Sequence, residues 1–552
     1  MATDAALAAM RRGGNAVDGA VAAALTLGVV DNHNSGLGGG CFILLRLAGG
    51  RRIAIDGRET APARATRDMF LRDGKPQPAW SRTGPLATGV PGALAAYALA
   101  VGEYGRLELA DLLLPAAQIA EAGFAIDRVY AGNLRRTAAI LAQFPVSRVV
   151  LLKPNGVPYI EGETLRQPDL ARTYRAIARG GIDWFYRGPF ADRVGRWMAD
   201  HGGILSAADF ASYRAIRRQP IETTYRDLTL LGFPPPSSGG IHVAQILNIL
   251  ENFDVEGLAR SNPALQAHLM AEAMKLAFAD RAHWLGDADF VSVPRGLIDK
   301  TYAAALARRI DLRHATAVPT HATPPHWRTD PFGPVRRTGS SQPSTGSQVP
   351  SVQPPSTAAG KHTTHIAAAD AEGNWVAITA TVNTSFGSKV IVPGTGVVLN
   401  NEMDDFAIAP GVPNAFGLLG AEANAIAPGK RPLSSMSPTI VLRDGQPILT
   451  LGAAGGPKII TQVVSMLVRK TDLAQSLEDA LASPRLHHQW RPDQLYLEDA
   501  FPELVADQLR RWGHTIRRTG QIAVVQAIAF DPQRNVLIGY SDPRVPGKAA
   551  GF

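Results

Sequence analysis

The stretch HTTHIAAADAEGNWVAITATVN, residues 362–383, contains two runs in which apolar and polar residues alternate. Such alternation has the period of a β-strand with one buried face. The tetrapeptide DAEG, residues 370–373, lies between the two runs and has the composition of a tight turn. The stretch therefore predicts a β-hairpin.

Closing the turn at DAEG also predicts which residues of the two strands face each other. Thr363 then lies opposite Ala380 or Thr381, and Asn383 lies one step beyond. A second hydroxyl and a carboxamide would therefore surround the first residue of the hairpin. Threonine is also a good strand former, and on this feature alone that simpler interpretation is favoured.

A segment of low complexity precedes the hairpin. From about residue 316 to residue 362 the chain is rich in Pro, Ser, Thr, Gln and Gly, which predicts a flexible linker. Cleavage between His362 and Thr363 would give Thr363 a free α-amine. Because such an amine has a pKa of about 7.7 to 8, it accepts the proton of the hydroxyl of its own residue. The residue then serves as both nucleophile and base.

The composition of the 552-residue chain is that of a globular protein, with 45% hydrophobic and 19% charged residues. The length corresponds to roughly three to four domains or to one large fold. The formal net charge is +8, but the basic residues occur as scattered pairs. This distribution favours a solvated basic surface over a nucleic-acid site.

Motifs of several other enzyme classes are incomplete. Cys41 is the only cysteine, which excludes an intramolecular disulfide and a cluster of thiolate metal ligands. The run GLGGGC, residues 36–41, lacks the Lys-Ser/Thr of a phosphate loop and predicts close backbone packing instead. The histidine pairs of the chain lack a third ligand at a fixed spacing, so no metal site is expected.

Helical and strand patterns alternate along the rest of the chain. Residues 3–30 predict two alanine-rich helices separated by Gly13 and Gly14, with Asn15 as the N-cap of the second. Long periodic stretches predict helices at residues 242–253 and 268–285. Strands are predicted after the linker within residues 364–370, 374–382, 389–401, 438–456 and 523–542.

Ten short motifs, taken in their order and spacing, resemble the γ-glutamyltranspeptidase family, whose members are self-processing N-terminal-nucleophile hydrolases. Any one of them alone would be a weak signal. The motifs are GGNAVDGAVA (13–22), GLGGG (36–40), IDGRETAPARATRDMF (55–70), FPPPSSGGIHVAQILNILENFD (233–254), TTHIAAAD (363–370), LNNEMDDFAIAPGVPN (399–414), RPLSSMSPTIVL (431–442), GAAGGPKIITQV (452–463), PRLHHQW (484–490) and SDPR (541–544).

The resemblance implies an α+β fold, a four-layer αββα sandwich with two stacked, mainly antiparallel sheets. It also implies cleavage between His362 and Thr363 into a large segment, 1–362, and a small catalytic segment, 363–552. The two segments would remain associated as a heterodimer, and no metal or organic cofactor would be needed.

The resemblance assigns roles to individual residues. Thr363 matches the nucleophile, and Thr381 matches the threonine that supports it. Gly455 and Gly456 match the backbone donors of the oxyanion hole. The substrate-binding residues that it implies are Arg58, Ser434 and Ser435 for the α-carboxylate of the donor, and Asn383, Glu402 and Asp405 for its α-ammonium group.

Two further implications concern access to the site and export. Residues 409–435 resemble the loop that covers the site in some members, with Phe416 near its tip.

The family's usual location is periplasmic or extracellular. The apolar run at residues 19–30 predicts a buried helix, since it is too short to span a bilayer and lacks a cleavage pattern. No signal peptide or membrane span is therefore expected in this chain, and its localisation stays open.

The function implied is a γ-glutamyltransferase and hydrolase that cleaves glutathione and related γ-glutamyl compounds, passing the γ-glutamyl group to water, amino acids or peptides. One alternative is an acylase of the same fold that cleaves glutaryl amides, such as cephalosporin side chains. That substrate has no α-ammonium group, so Glu402 and Asp405 argue against it. A second alternative is a homologue that does not process itself and has only a binding role.

Overall fold

The computed structural model describes residues 1–332 and 362–552. The α-helices of these residues are α1 (Ala2–Arg11), α2 (Ala16–Val30), α3 (Pro78–Arg82), α4 (Ala93–Tyr104), α5 (Leu109–Ala122), α6 (Arg128–Leu141), α7 (Pro145–Leu151), α8 (Pro168–Gly180), α9 (Asp183–Tyr186), α10 (Pro189–Asp200), α11 (Ala207–Ser212), α12 (Gly239–Leu250), α13 (Val255–Ser261), α14 (Pro263–Trp284), α15 (Lys300–Ala307), α16 (Lys458–Thr471), α17 (Leu477–Ala482) and α18 (Glu503–Arg511).

The strands of the same residues are β1 (Gly40–Arg46), β2 (Arg52–Gly57), β3 (Leu71–Arg72), β4 (Lys75–Pro76), β5 (Phe124–Ala125), β6 (Thr164–Leu165), β7 (Ile216–Arg218), β8 (Ile221–Tyr225), β9 (Leu228–Gly232), β10 (Val293–Pro294), β11 (Pro331–Phe332), β12 (Thr364–Ala369), β13 (Trp375–Thr381), β14 (Thr439–Arg443), β15 (Gln446–Ala454), β16 (Leu486–His487), β17 (Leu495–Glu498), β18 (Ile516–Thr519), β19 (Val524–Asp531) and β20 (Val536–Ser541).

Two large antiparallel sheets form the centre of the molecule. The first has the strand order β12-β13-β1-β2-β7, and the second has the order β20-β19-β15-β14-β9-β8. Strands β12 and β13 pack on β15 of the second sheet. Between the sheets, the ring of Phe42 stacks on that of Phe233 at 4.1 Å.

Helices cover both outer faces of the stacked sheets. Helices α2 and α4 pack on the first sheet, and α12 and α16 pack on the second. The predicted α+β fold with four αββα layers is therefore confirmed. Among the described residues, no helix combines the length and the apolar character needed to cross a membrane.

The start of the chain folds as its sequence predicts. Helix α1 ends before Gly13, and Asn15 caps α2 by accepting hydrogen bonds from the amides of Val17 and Asp18. In the glycine run that follows α2, a Cβ atom on Gly39 would lie only 2.0 Å from the carbonyl oxygen of Thr381. The run is therefore a site of close backbone packing, as expected.

The hairpin that follows the linker has a defined register. Thr364 pairs with Ala380, and Ala369 pairs with Trp375. Extending this register by one residue places Thr363 opposite Thr381, which is one of the two predicted partners. Strand β13 also pairs with β1, so the hairpin belongs to the first sheet.

Two local predictions are wrong. Residues 389–401 do not form a strand and contain only a single bridge between Ile391 and Val398. The turn residues Gly394 and Gly396, both at positive φ, break the apolar run. The expected linker also starts too early, because residues 316–332 contribute buried side chains.

The ordered part of the expected linker packs on the body of the protein. Val318 and Phe332 are 4% and 6% exposed, and the indole of Trp284 donates a hydrogen bond to the carbonyl of Ala322. Phe332 also pairs with Val293. The prediction from composition missed these few buried apolar residues because the residues around them are mostly polar. The rest of the predicted linker, residues 333–361, lies outside the described residues.

Candidate active site

Thr363 directly precedes β12 and is buried, with 6% of its surface exposed. Its hydroxyl oxygen lies 3.1 Å from that of Thr381. The Thr381 oxygen accepts a hydrogen bond from the Asn383 amide at 2.9 Å. The hydroxyl hydrogen of Thr381 is therefore available to be donated to Thr363.

The backbone at this position is strained. Thr363 has a φ of 104° and Asn383 has a φ of 79°. A β-branched residue in this region is an outlier that costs on the order of 1–3 kcal/mol. The strained residue lies immediately after the peptide bond at which cleavage is predicted.

The residue on the other side of that bond is also fixed. The ring of His362 is buried, and its Nδ1 lies 3.0 Å from the hydroxyl of Ser385. Burial, and to a smaller extent the charge of Lys389, lowers the pKa of His362 to about 3. The imidazole is therefore neutral at physiological pH.

Arg58 follows β2 and is completely buried. Its guanidinium pairs with Glu402, and it donates hydrogen bonds to Asp405 at 2.6 Å and to the carbonyl of Pro432 at 3.0 Å. Burial opposes its charge, but the carboxylates of Glu402 and Asp405 outweigh burial and raise the pKa of the guanidinium. The two carboxylates belong to a short 3-10 helix that places them on one side of Arg58.

The cation predicted to bind an α-carboxylate is therefore paired with the anions predicted to bind an α-ammonium group. A zwitterion that enters this cleft can form ion pairs with Arg58 and with the two carboxylates, in place of the ion pairs that these side chains form with each other. Its carboxylate would take the guanidinium, and its ammonium group would take the carboxylates. Such an exchange leaves no buried charge without a partner.

Ser434 and Ser435 each accept one hydrogen bond from the described residues. The oxygen of Ser434 accepts from the Met436 amide at 3.1 Å, and that of Ser435 accepts from the Arg281 guanidinium at 3.1 Å. A hydroxyl has one hydrogen and two lone pairs. Both serines therefore keep a hydrogen that can be donated to an anion.

Gly455 and Gly456 connect the end of β15 to the start of α16. Both have positive φ angles, 137° and 60°. A Cβ on Gly456 would lie 2.7 Å from the ring of Phe416, so no larger residue fits without a shift. Successive amides at the start of a helix form a suitable environment for developing negative charge.

A single narrow cleft brings most of the predicted residues together, although the sequence separates them by hundreds of positions. His362 and Gly455 do not line it. The predicted residues that line the cleft are Arg58, Thr363, Thr381, Asn383, Glu402, Asp405, Ser434, Ser435 and Gly456, together with Phe416 of the predicted covering loop.

Two charged residues beside the cleft escaped the sequence prediction. Glu59 is completely buried, and its carboxylate lies 3.7 Å from the Arg58 guanidinium, too far for a hydrogen bond. No described residue donates a hydrogen bond to either of its carboxylate oxygens. Arg281 of α14 contacts Ser435 from behind. Glu59 stands next to Arg58 in the GRET motif, which was an available signal. Arg281 lies inside a long helical pattern, where nothing distinguishes it.

One group of side chains among the described residues has the composition of a metal site. It consists of His268, Glu272 and His514, and it does not line the cleft. The ammonium of Lys275 already lies 3.0 Å from the Glu272 carboxylate, and the two imidazoles hydrogen-bond to each other at 2.7 Å. Lys275 thus supplies the positive charge that a metal ion would bring.

The raised pKa of the buried Glu59 predicts that the stability of the fold depends on pH. Burial raises its pKa to about 8, against the attraction of Arg58. The folded protein then holds a proton that the unfolded chain releases above about pH 4.5, so Glu59 makes the fold less stable as the pH rises toward 8. We expect the Glu59→Gln variant to gain stability relative to wild type between pH 5 and pH 8, by at least about 1 kcal/mol.

Thermal unfolding of both proteins at several pH values tests this expectation. Glu222→Gln is the matched control, because Glu222 is exposed and pairs with Arg52 on the surface. Parallel stability curves for wild type and Glu59→Gln would show that Glu59 is ionised throughout.

Comparison with known proteins places the chain. The family model described as gamma-glutamyltranspeptidase matches residues 2–552. The glutathione hydrolase proenzyme of Escherichia coli (strain K12) is 41% identical over 556 residues, which cover 100% of this chain and 90% of the relative.

Solved structures of related proteins are also similar to this chain. A cephalosporin acylase from Bacillus halodurans has a TM-score of 0.83 at 27% identity and covers 100% of this chain and 94% of its own. A chain of the Helicobacter pylori gamma-glutamyltranspeptidase has a TM-score of 0.57 at 37% identity and covers 60% of this chain and 95% of its own. The family match over nearly the whole length shows that this chain belongs to the γ-glutamyltranspeptidase family of enzymes.

Proposed function

We propose that this protein is a self-processing γ-glutamyltransferase and hydrolase that acts on glutathione and related γ-glutamyl compounds. The observation that carries the proposal is the cleft itself. It combines a threonine hydroxyl next to a second hydroxyl with a buried arginine and paired carboxylates. A candidate nucleophile and a candidate site for a zwitterion therefore lie side by side.

Maturation would begin at the strained bond. The Thr363 hydroxyl attacks the carbonyl carbon of His362, the C–N bond breaks, and the acyl group moves from the nitrogen to the oxygen. Water then hydrolyses the ester, which leaves a carboxylate on His362 and a free amine on Thr363. The positive φ of Thr363 and the hydroxyl of Thr381 support this step, since strain is released and a hydrogen-bond donor is in place.

The two segments would stay associated as a heterodimer after cleavage. In the first sheet, β13 of the small segment pairs with β1 of the large one. In the second sheet, β14 of the small segment pairs with β9 of the large one. Both sheets thus contain strands from both segments, and separating them would break two ladders and expose the core.

In the catalytic cycle the new amine of Thr363 accepts the proton of its own hydroxyl as the oxygen attacks the γ-carbonyl of the donor. The amides of Gly455 and Gly456 would stabilise the oxyanion. The leaving amine takes the proton and departs, and a γ-glutamyl ester remains on Thr363. Water or the amine of an amino acid or peptide then resolves that ester.

Recognition of the donor would follow its charges. Arg58, Ser434 and Ser435 would bind the α-carboxylate, because all three have donors toward the cleft. The side-chain nitrogen of Asn383 donates to the carbonyl of Asn401 at 2.9 Å. Its oxygen accepts from none of the described residues and would accept from an ammonium group. Glu402 and Asp405 would provide the matching negative charges.

A glutaryl-amide acylase is the second candidate, favoured by the similarity to the Bacillus halodurans cephalosporin acylase. A glutaryl group would use Arg58 and the serines in the same way. It would leave Glu402 and Asp405 without a cation once its carboxylate displaced them from Arg58. The charge balance of the cleft therefore favours the γ-glutamyl group.

Replacing Thr363 tests the processing step. We expect intact-mass measurement to find two chains in wild type, divided between His362 and Thr363, and one uncut inactive chain in Thr363→Ala. The matched control is Thr364→Ala, because the next hydroxyl contacts Asp31 instead of Thr381. Wild type that is uncut yet active, or cut elsewhere, would contradict the mechanism and would favour a different nucleophile.

Replacing Asp405 tests the substrate. We expect Asp405→Asn to lower kcat/KM for γ-glutamyl-p-nitroanilide by about tenfold or more, since a hydrogen bond to a charged group is worth about 1.5–3 kcal/mol. Activity on the glutaryl anilide should change much less. Asp404→Asn is the control, because Asp404 contacts Ser81 and does not line the cleft. A wild-type preference for the glutaryl anilide would establish the acylase instead.

A further inference from the structure

Arg281 is a buried cation directly behind the cleft. It lies on α14, and 4% of its surface is exposed. Its Nε donates to the hydroxyl oxygen of Ser238 at 3.0 Å, and one terminal nitrogen donates to that of Ser435 at 3.1 Å. One planar guanidinium thus bridges two serines, only one of which lines the cleft.

The charge of Arg281 has no direct counter-ion in the part of the chain that the structure describes. Among residues 1–332 and 362–552, no carboxylate lies within 4.0 Å of its guanidinium, although Asp405 acts on it from a longer distance. Burial lowers the pKa of Arg281 to about 10, which leaves it charged at neutral pH. A buried charge of this kind is costly unless a partner compensates it. An anion in the cleft would be such a partner.

The hydrogen bonds around Arg281 fix the direction of the Ser435 hydroxyl. Ser238 donates its hydrogen to the carbonyl of Ser434 at 2.7 Å, so its oxygen is held as an acceptor for Arg281. Ser435 also accepts from Arg281, and its hydrogen must therefore point elsewhere. Ser435 lines the cleft beside Arg58. The guanidinium thus keeps Ser435 as a donor toward the position of an anion.

We propose that Arg281 is a positioning residue for the α-carboxylate of the donor. It holds Ser435 as a hydrogen-bond donor and adds a second positive charge behind that serine. This inference rests on the proposed γ-glutamyl activity and extends it, because Arg281 acts on substrate choice without touching the substrate. The group selected is a carboxylate at the α-carbon of the donor.

The test compares two anilides in wild type and in Arg281→Gln. One is γ-glutamyl-p-nitroanilide, and the other is 4-aminobutyryl-p-nitroanilide, which lacks the α-carboxylate. We expect Arg281→Gln to raise KM for the γ-glutamyl anilide about tenfold, the scale of one lost hydrogen bond to a charged group, with kcat within about threefold. Activity on the 4-aminobutyryl anilide should be unchanged, so the preference for the α-carboxylate falls.

Two further variants separate positioning from charge and from folding. Arg281→Lys keeps the charge, but a single ammonium does not reproduce the planar bridge, so its KM should lie between those of wild type and Arg281→Gln. Arg46→Gln is the matched control, because Arg46 is also buried and donates to the carbonyls of Gly373 and Gly445. Its KM should equal that of wild type. If Arg281→Gln does not fold, the lysine variant carries the test.

A cycle with Ser435→Ala completes the experiment. If Arg281 acts in part through Ser435, Arg281→Gln should raise KM less once the serine hydroxyl is gone, because only the loss of the positive charge then remains. An unchanged KM in Arg281→Gln, or fully additive effects in the double variant, would overturn the inference. Absence of γ-glutamyl activity in processed wild type would instead contradict the proposed function, which keeps the two failures distinct.

Discussion

The antiparallel pairing of β12 with β13 is the constraint on which the site depends. Its register holds the hydroxyl of Thr363 against that of Thr381. Because β13 pairs with β1 and β1 pairs with β2, the same sheet also carries the segment that leads into Arg58. In the second sheet, Gly456 lies just after the end of β15. Thr363 and the groups around it are thus fixed by two stacked sheets, not by one loop.

Electrostatics gives the cleft its chemical character. Arg58 is surrounded by carboxylates, and Arg281 lies behind Ser435 with no carboxylate within ion-pair distance among the described residues. A buried ion pair contributes little to stability compared with apolar packing, and this agrees with the binding role that we propose for these residues. Opposite charges side by side match a substrate that carries an ammonium group and a carboxylate on one carbon atom.

Local sequence patterns predicted the helices and strands of this structure better than they predicted which distant residues contact one another. The DAEG turn was sufficient to place Thr363 near Thr381, because hairpin register follows from a short turn. Nothing local connects Arg58 with Glu402, and only the resemblance to a known family joined them. Average composition also misled the prediction in two places. Two turn glycines break the strand that was expected at 389–401. A few buried apolar side chains hold residues 316–332, which were expected to be part of the linker, against the protein. Arg281 was missed because its partners come from distant segments.

The most direct test of the proposed mechanism is to trap the acyl-enzyme and to identify the residue that carries the acyl group. The protein is mixed with a γ-glutamyl donor, quenched in acid and digested, and the modified peptide is sequenced by mass spectrometry. We expect a γ-glutamyl ester on a peptide that begins at Thr363 with a free amine. An adduct on any other residue, or modified peptides that run through the bond between His362 and Thr363, would contradict it.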